Sequence, residues 1–164
     1  MNSCFKDIIH AINIIIDISG EQLEGNCYYP WGDKNNTNTV ILESLSNKRK
    51  NYRKTVLNKK HVCEIGFNAG HSLICMILEN PNAEFTIFDL GEHKYTIPCY
   101  KKLKETFGER IKIIIGDSTK TLKNINDIYD LIHIDGGHST ENAESDIINS
   151  YRLSKQGTIL IMDD

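Results

Sequence analysis

Between His61 and Leu78 the chain reads as a short apolar run, a glycine-punctuated turn and an apolar-periodic segment. The run closes at Ile65-Gly66, Gly70 follows, and Leu73, Ile74, Met76, Ile77 and Leu78 then recur at helical spacing. A buried strand that breaks at glycine and restarts as a helix is the building unit of open α/β sheets. Its turn aims backbone N–H groups at the helix N-terminus, where a polar or anionic ligand can be held. Glycine is needed there because a Cβ would block a sharp turn or a close approach. No other stretch restricts the fold as strongly.

The same alternation continues downstream. Strands are predicted at 61–65, 84–89, 111–115, about 130–135 and about 158–162, the last after a turn at Gly157. Helices are predicted at 71–79, 96–107, about 118–125 and 139–153; the last starts from a Ser139 cap and turns Ala143, Ile147, Ile148 and Tyr151 inward. Apolar runs separated by helices give a parallel sheet with right-handed crossovers. The expected class is α/β: a Rossmann-like, doubly wound, mostly parallel sheet of five visible strands, preceded by N-terminal helices.

That N-terminal part divides into three. Phe5, Ile8, Ile9, Ile12, Ile15 and Ile16 predict an amphipathic helix over about 4–18. Residues 20–38 are punctuated by Gly, Pro, Asn and Asp and read as a loop, in which Tyr28, Tyr29 and Trp31 either pack on the body or form a flap over a substrate. A second helix is expected from Thr39 to Leu57, capped by Asn38 or Thr39, with Val40, Ile41, Leu45, Tyr52 and Val56 on its apolar side. Lys48, Arg49, Lys50, Arg53 and Lys54, extended by Lys59 and Lys60, form a basic face that is either solvated or meets phosphate. The organisation expected is a helical or lid segment, 1–58, and a cofactor-binding domain, 59–164.

Composition narrows the class further. With 164 residues and 40% hydrophobic content, one core is expected, burying roughly 70% of the unfolded surface. A net charge of −3 generates no global field for nucleic acid or membrane. The first helix is too short and too interrupted by His10, Asn13 and Asp17 to span a bilayer, and nothing marks it as a signal peptide. Five cysteines without a C-x-x-C pair point to reduced thiols and a cytoplasmic protein. The abundance of Ile, Asn and Lys is that of an AT-rich genome, whether of a large DNA virus, a low-GC bacterium or a protist.

The strand ends carry the chemistry. The first ends in Glu64-Ile65-Gly66, the second in Asp89, the third in Gly116-Asp117-Ser118, the fourth in Asp135-Gly136-Gly137-His138 and the fifth in Asp163-Asp164. Ligands of open α/β sheets bind beyond these carboxyl ends. An acid about twenty residues past the glycine loop suits ribose hydroxyls, and Asp89 stands there. Asp135, Asp163 and Asp164 place three hard oxygen ligands at one edge, a set suited to Mg²⁺ or a similar divalent cation.

The loop reads Glu64-x-Gly66-x-x-x-Gly70-x-Ser72, not the G-x-G-x-x-G of dinucleotide sites, since Asn68 and His71 occupy two glycine positions. It resembles motif I of class I S-adenosylmethionine (SAM) dependent methyltransferases, above all the metal-dependent catechol, caffeoyl and sugar O-methyltransferases. The resemblance covers about residues 60–164. It implies that Glu64, Gly66, Asn68, Gly70 and Ser72 form the cofactor loop, with Ser72 on the methionine carboxylate. Asp89 would take the ribose, and Asp117 and Ser118 the adenine. It implies that Asp135, Asp163 and Asp164 hold the metal. The catalytic lysine of the family, three residues after the first of these aspartates, is replaced by His138, a competent base near neutral pH. The implied reaction is an in-line methyl transfer to a small hydroxylated acceptor, sugar or catechol-like, with Asp135 and His138 at the acceptor oxygen.

The resembled fold has two further strands after the fifth. The expectation is therefore a form truncated after strand 5, whose open edge invites a homodimer. Two other readings remain: a SAM-binding module without turnover, and methylation of RNA or protein through the basic face. A nicotinamide enzyme ranks last because of Asn68 and His71.

Overall fold

A computed structural model of the chain describes residues 3–30 and 41–163. Five strands, β1 (His61–Ile65), β2 (Glu84–Asp89), β3 (Ile111–Ile115), β4 (Tyr129–Ile134) and β5 (Ser154–Met162), form one sheet in the order β3-β2-β1-β4-β5. Every pairing is parallel. The helices are α1 (Ser3–Ser19), α2 (Ser46–Val56), α3 (His71–Glu79), α4 (Thr96–Phe107), α5 (Ser118–Thr121) and α6 (Thr140–Arg152).

The period of two along each strand sorts side chains onto two faces. Val62 and Leu131 join the larger core with Ile12, Tyr28, Val56, Leu73 and Leu103, so α1 to α4 cover that face. Cys63, Ile65, Ile132 and Ile134 point the other way and pack with Leu122 and Leu153 beneath α5 and α6. The result is a doubly wound three-layer fold. The chain reverses direction across the sheet between β1 and β4, which places the switch point, and hence the expected ligand crevice, at the carboxyl ends of those two strands.

Most predicted elements coincide with the observed ones, and the Ser139 cap is present: its Oγ accepts from the Asn142 N–H at 3.1 Å. Three expectations are corrected. Pairing of β5 with β4 begins at Ser154, not after Gly157, and a register shift between Tyr129 and Leu131 absorbs Gly157 at φ 88°. The α2 helix starts at Ser46, preceded by a 3₁₀ turn at Glu43–Leu45; the cap expected at Asn38 or Thr39, like Val40 and Trp31, lies outside the described residues.

The third correction concerns α6. Ile147, Ile148 and Tyr151 do not face inward: they are 42%, 61% and 81% exposed, while Asp146, Asn149 and Ser150 are buried. Local partners satisfy part of this face, although the Asp146 carboxylate and the Ser150 hydroxyl are buried with no hydrogen-bond partner of normal geometry among the described residues. Asn149 Nδ2 donates to the Ser145 carbonyl at 2.9 Å, and the Arg152 guanidinium donates to the carbonyls of Leu122 and Ile125 at 2.7 Å each. Ile159, Leu160 and Met162 on β5 are likewise exposed, so an apolar surface runs over the β5 edge and α6.

Tyr28 and Tyr29 are packed on the body: both are buried, and the Tyr28 hydroxyl lies 2.9 Å from Cys75 Sγ. All five cysteines are free thiols, with only Cys4 exposed. Among the described residues no helix is long and apolar enough to cross a membrane.

Candidate functional site

A cleft of about 460 Å³ opens over the carboxyl ends of β1, β2, β3 and β4, lined by Gly66, Asn68, Asp89, Asp117, Ser118, Asp135 and His138, with Glu24, Gly25 and His93 on its rim. The acids that end β2, β3 and β4 thus reach one site, and β1 contributes Gly66, while its own acid, Glu64, is buried outside the lining. Its floor depends on Gly66. At φ 91° this residue passes so close to the loop after β4 that an added Cβ would lie 1.8 Å from the Asp135 carbonyl oxygen. The turn continues through Asn68 at φ 54°, a conformation asparagine tolerates better than most residues, into Gly70 at the head of α3.

Asp89 organises that turn. Its Oδ2 accepts from the N–H groups of Phe67 and Asn68 at 2.8 and 2.9 Å, and its Oδ1 from Gly91 N–H at 2.7 Å. A carboxylate has about four acceptor positions, so three are used and one remains toward the cleft. Asp117 caps α5, accepting from the Thr119 N–H and hydroxyl at 2.9 and 2.6 Å. The Thr119 hydroxyl and the ammonium of Lys120 hold the Asp117 carboxyl below its ordinary range. Ser118 and the exposed His138 complete the cleft wall.

A second cluster lies beside this cleft and was not legible in the sequence. Glu64 and His133 are register partners on β1 and β4, both wholly buried. Glu64 Oε1 accepts from the Ser72 hydroxyl at 2.5 Å and lies 3.1 Å from His133 Nδ1; its Oε2 has no hydrogen-bond partner among the described residues. The other ring nitrogen of His133 lies 3.2 Å from the Tyr52 hydroxyl, which donates to Asp163 Oδ2 at 2.9 Å. Asp163 is also ion-paired with Lys48. A continuous chain therefore runs Ser72–Glu64–His133–Tyr52–Asp163–Lys48, from the head of α3 across the sheet to α2.

The electrostatics follow from burial and that chain. Burial pushes the Asp135 carboxyl up, partly offset by His133 and reinforced by Asp163, and no donor reaches that carboxylate among the described residues. Burial also acts against ionised Asp163, but the Lys48 ammonium and Tyr52 hydroxyl outweigh it and hold the carboxyl below its usual range. Lys48 responds in kind: desolvation opposes its charge, and Asp163 more than restores it. The basic face expected on α2 is thus broken up, since Lys48 turns to Asp163 and Arg49 is buried, donating to the Cys27 carbonyl at 2.8 Å.

Whether these residues fit a divalent cation can be judged from the donors. Single ligand atoms of His133, Asp135 and Asp163 lie within 4.8 Å of one another. Both nitrogens of His133 are already engaged, which leaves the carboxylates of Asp135 and Asp163. Two protein carboxylates at one edge match the way Mg²⁺ is held, with water and substrate completing the shell. Asp164, the third expected ligand, lies outside the described residues. The described donors fit.

Comparison with known proteins bears directly on this arrangement. Residues 63–164, which carry the glycine turn and every strand end of the cleft, match the family model described as a methyltransferase domain. The chain belongs to that family. No curated protein matches it in sequence. Solved methyltransferase structures share its fold at low identity. Cofactor-bound Rv0187 from MTB superimposes with a TM-score of 0.70 at 17% identity, covering 96% of this chain and 65% of that one. The O-methyltransferase from Bacillus cereus in complex with SAH gives 0.67 at 17% identity, with 99% and 66% covered. SAH-bound methyltransferase PaMTH1 from Podospora anserina gives 0.61 at 20% identity, with 74% and 56% covered. The chain spans less than two thirds of the length of each of these proteins.

Lys48 and Tyr52 precede the matched residues of this methyltransferase domain, yet they complete its acidic edge. The available signal was their spacing: four residues apart on a helix, they share a face. Tyr52 reads as an apolar-face residue and Lys48 as one charge of a basic run, and neither pattern names a partner.

Proposed function

We propose that this chain binds SAM in the cleft over β1 to β4 and transfers its methyl group to a hydroxyl of a small acceptor. The observation that carries the reading is the convergence of Gly66, Asp89, Ser118, Asp135 and His138 on one cleft at the switch point of a methyltransferase-family fold. The B. cereus and P. anserina proteins of the same fold are SAH-bound, which supports this cofactor class.

In this reading Glu64, Gly66, Asn68, Gly70 and Ser72 shape the cofactor loop. Ser72 stands at the N-terminus of α3, whose partial positive charge favours the methionine carboxylate. The remaining acceptor position of Asp89 takes a ribose hydroxyl, while Ser118 and Asp117 border the adenine. Asp135 and Asp163 hold a divalent cation such as Mg²⁺, joined by Asp164. When bound, such a cation lowers the pKa of an acceptor hydroxyl and orients it. His138, exposed at the cleft wall, takes the hydroxyl proton. An electron pair of the acceptor oxygen would form the new bond to the methyl carbon as the carbon–sulfur bond breaks, its electrons leaving with sulfur as the neutral thioether of the demethylated cofactor. Because SAM carries its own leaving group, what the chain contributes is mainly alignment and exclusion of water. A sugar or catechol-like diol fits a site with two carboxylates at one edge.

Calorimetric titration of SAM into the protein, with and without Mg²⁺ and with an Asp89→Ala control, tests this reading. Micromolar binding that disappears in the control is the expected result. Absence of binding under both conditions overturns it.

A further inference from the structure

We infer that the Lys48 ammonium is the resident counter-cation of the acidic edge, and that Lys48 and a divalent metal ion are alternative occupants of it. The inference rests on the metal reading proposed above.

Lys48 lies on α2 and is ion-paired with Asp163, one of the two described carboxylates available to a metal. It borders the same crevice as Tyr52, Ser72 and Asp135. Its charge also acts favourably on Asp135. The ammonium thus supplies the positive charge that two half-buried carboxylates need when no metal is present, and does so at the carboxylate a metal would use.

The geometry also says how exchange can occur. Tyr52, one turn further along α2, donates to the same Asp163 Oδ2 and contacts His133, so the helix itself is pinned to β4 and β5. Exchange is therefore a side-chain event. Lysine is a point charge on a flexible four-carbon stem, and it can swing aside without moving α2. The Lys48 side chain is 33% exposed, which leaves it a route to water. The chain thus carries its own competitor for the metal, supplied from outside the matched methyltransferase domain.

The test is Mn²⁺ binding, read by electron paramagnetic resonance and by calorimetry, on the wild-type chain, Lys48→Met and Lys48→Met/Asp163→Asn, with SAM affinity and circular dichroism recorded for each. Mn²⁺ affinity at least tenfold higher in Lys48→Met than in wild type, and abolished again in the double variant, supports the proposal. Equal Mn²⁺ affinity in wild type and Lys48→Met overturns it while the metal reading stands. Absence of Mn²⁺ binding in both, with SAM binding intact, overturns the metal reading and this proposal together. Mn²⁺ binding that survives in the double variant places the metal elsewhere and also overturns it.

Discussion

The Tyr52 hydroxyl donates to Asp163 Oδ2 at 2.9 Å and joins α2 to the carboxyl end of β5, residues 111 positions apart in the chain. The Tyr52 hydroxyl oxygen also lies 3.2 Å from His133 Nε2, so one phenol links α2 to the ends of two strands. Removing that hydroxyl strands a buried imidazole nitrogen and weakens the hold on Asp163.

Tyr52→Phe is accordingly expected to cost about 2 kcal/mol, the penalty of unpairing buried polar groups, or about 4–8 °C in thermal midpoint for a chain of this size. Combined with Asp163→Asn in a double-mutant cycle, the two losses are expected to be less than additive, because they remove one shared bond. Strict additivity in urea denaturation would count against the coupling.

Gly66→Ala probes the contact between the glycine turn and the loop after β4. The new methyl meets backbone, the Asp135 carbonyl, and not a side chain that can rotate away. With φ at 91° the substitution also pays for a conformation that alanine disfavours, about 1–3 kcal/mol. A lower thermal midpoint and at least a tenfold loss of SAM affinity are expected in calorimetry. Unchanged affinity would show that the cofactor does not use this turn.

Asp89→Asn separates shape from charge. The amide keeps the outline of the carboxylate but presents N–H groups toward at least one of the three backbone donors now bound by Asp89. Each of these is a charge-assisted bond, so a loss of about 2 kcal/mol in stability is expected, with loss of SAM binding beside it. A variant as stable as wild type in urea would mean that these amides find other acceptors.

His71 makes stability depend on pH. It is buried, neither ring nitrogen has a hydrogen-bond partner among the described residues, and burial pushes its pKa down from 6.5 to about 4. Below 6.5 the unfolded chain takes up a proton at this ring while the folded chain does not, so folding stability is full above that pH and falls as the pH drops toward about 4. The full interval is worth about 3 kcal/mol. His71→Phe, which keeps an aromatic ring against Tyr28 and Tyr29, is expected to flatten this part of the curve. An unchanged slope in denaturation midpoints across that interval would assign the acid sensitivity to other groups.

Much of the cleft was legible because its residues are local to strand ends. Gly66, Asp89, Asp117 and Asp135 each follow an apolar run, and a parallel sheet brings all such positions to one edge whatever the details of packing. The residues that escaped were those whose meaning lies in a distant partner. Arg49 reads as one charge among several, yet it is buried against the Cys27 carbonyl and the Tyr28 ring. His133 reads as a polar interruption in a strand, until its register opposite Glu64 is known.

Alone, the sequence determined the alternation of strands and helices, the parallel sheet, the glycine turn and the acidic edge, because periodicity and backbone sterics act over a few residues. Only the tertiary structure decided which faces are covered. In α6 it buries Asp146, Asn149 and Ser150 and leaves Ile147, Ile148 and Tyr151 in the open. It also decided that Lys48 and Tyr52 meet Asp163. The physical reason is the same in both cases: a helix's own pattern sets which residues share a side, but the neighbouring elements set which side is buried and what charge waits there.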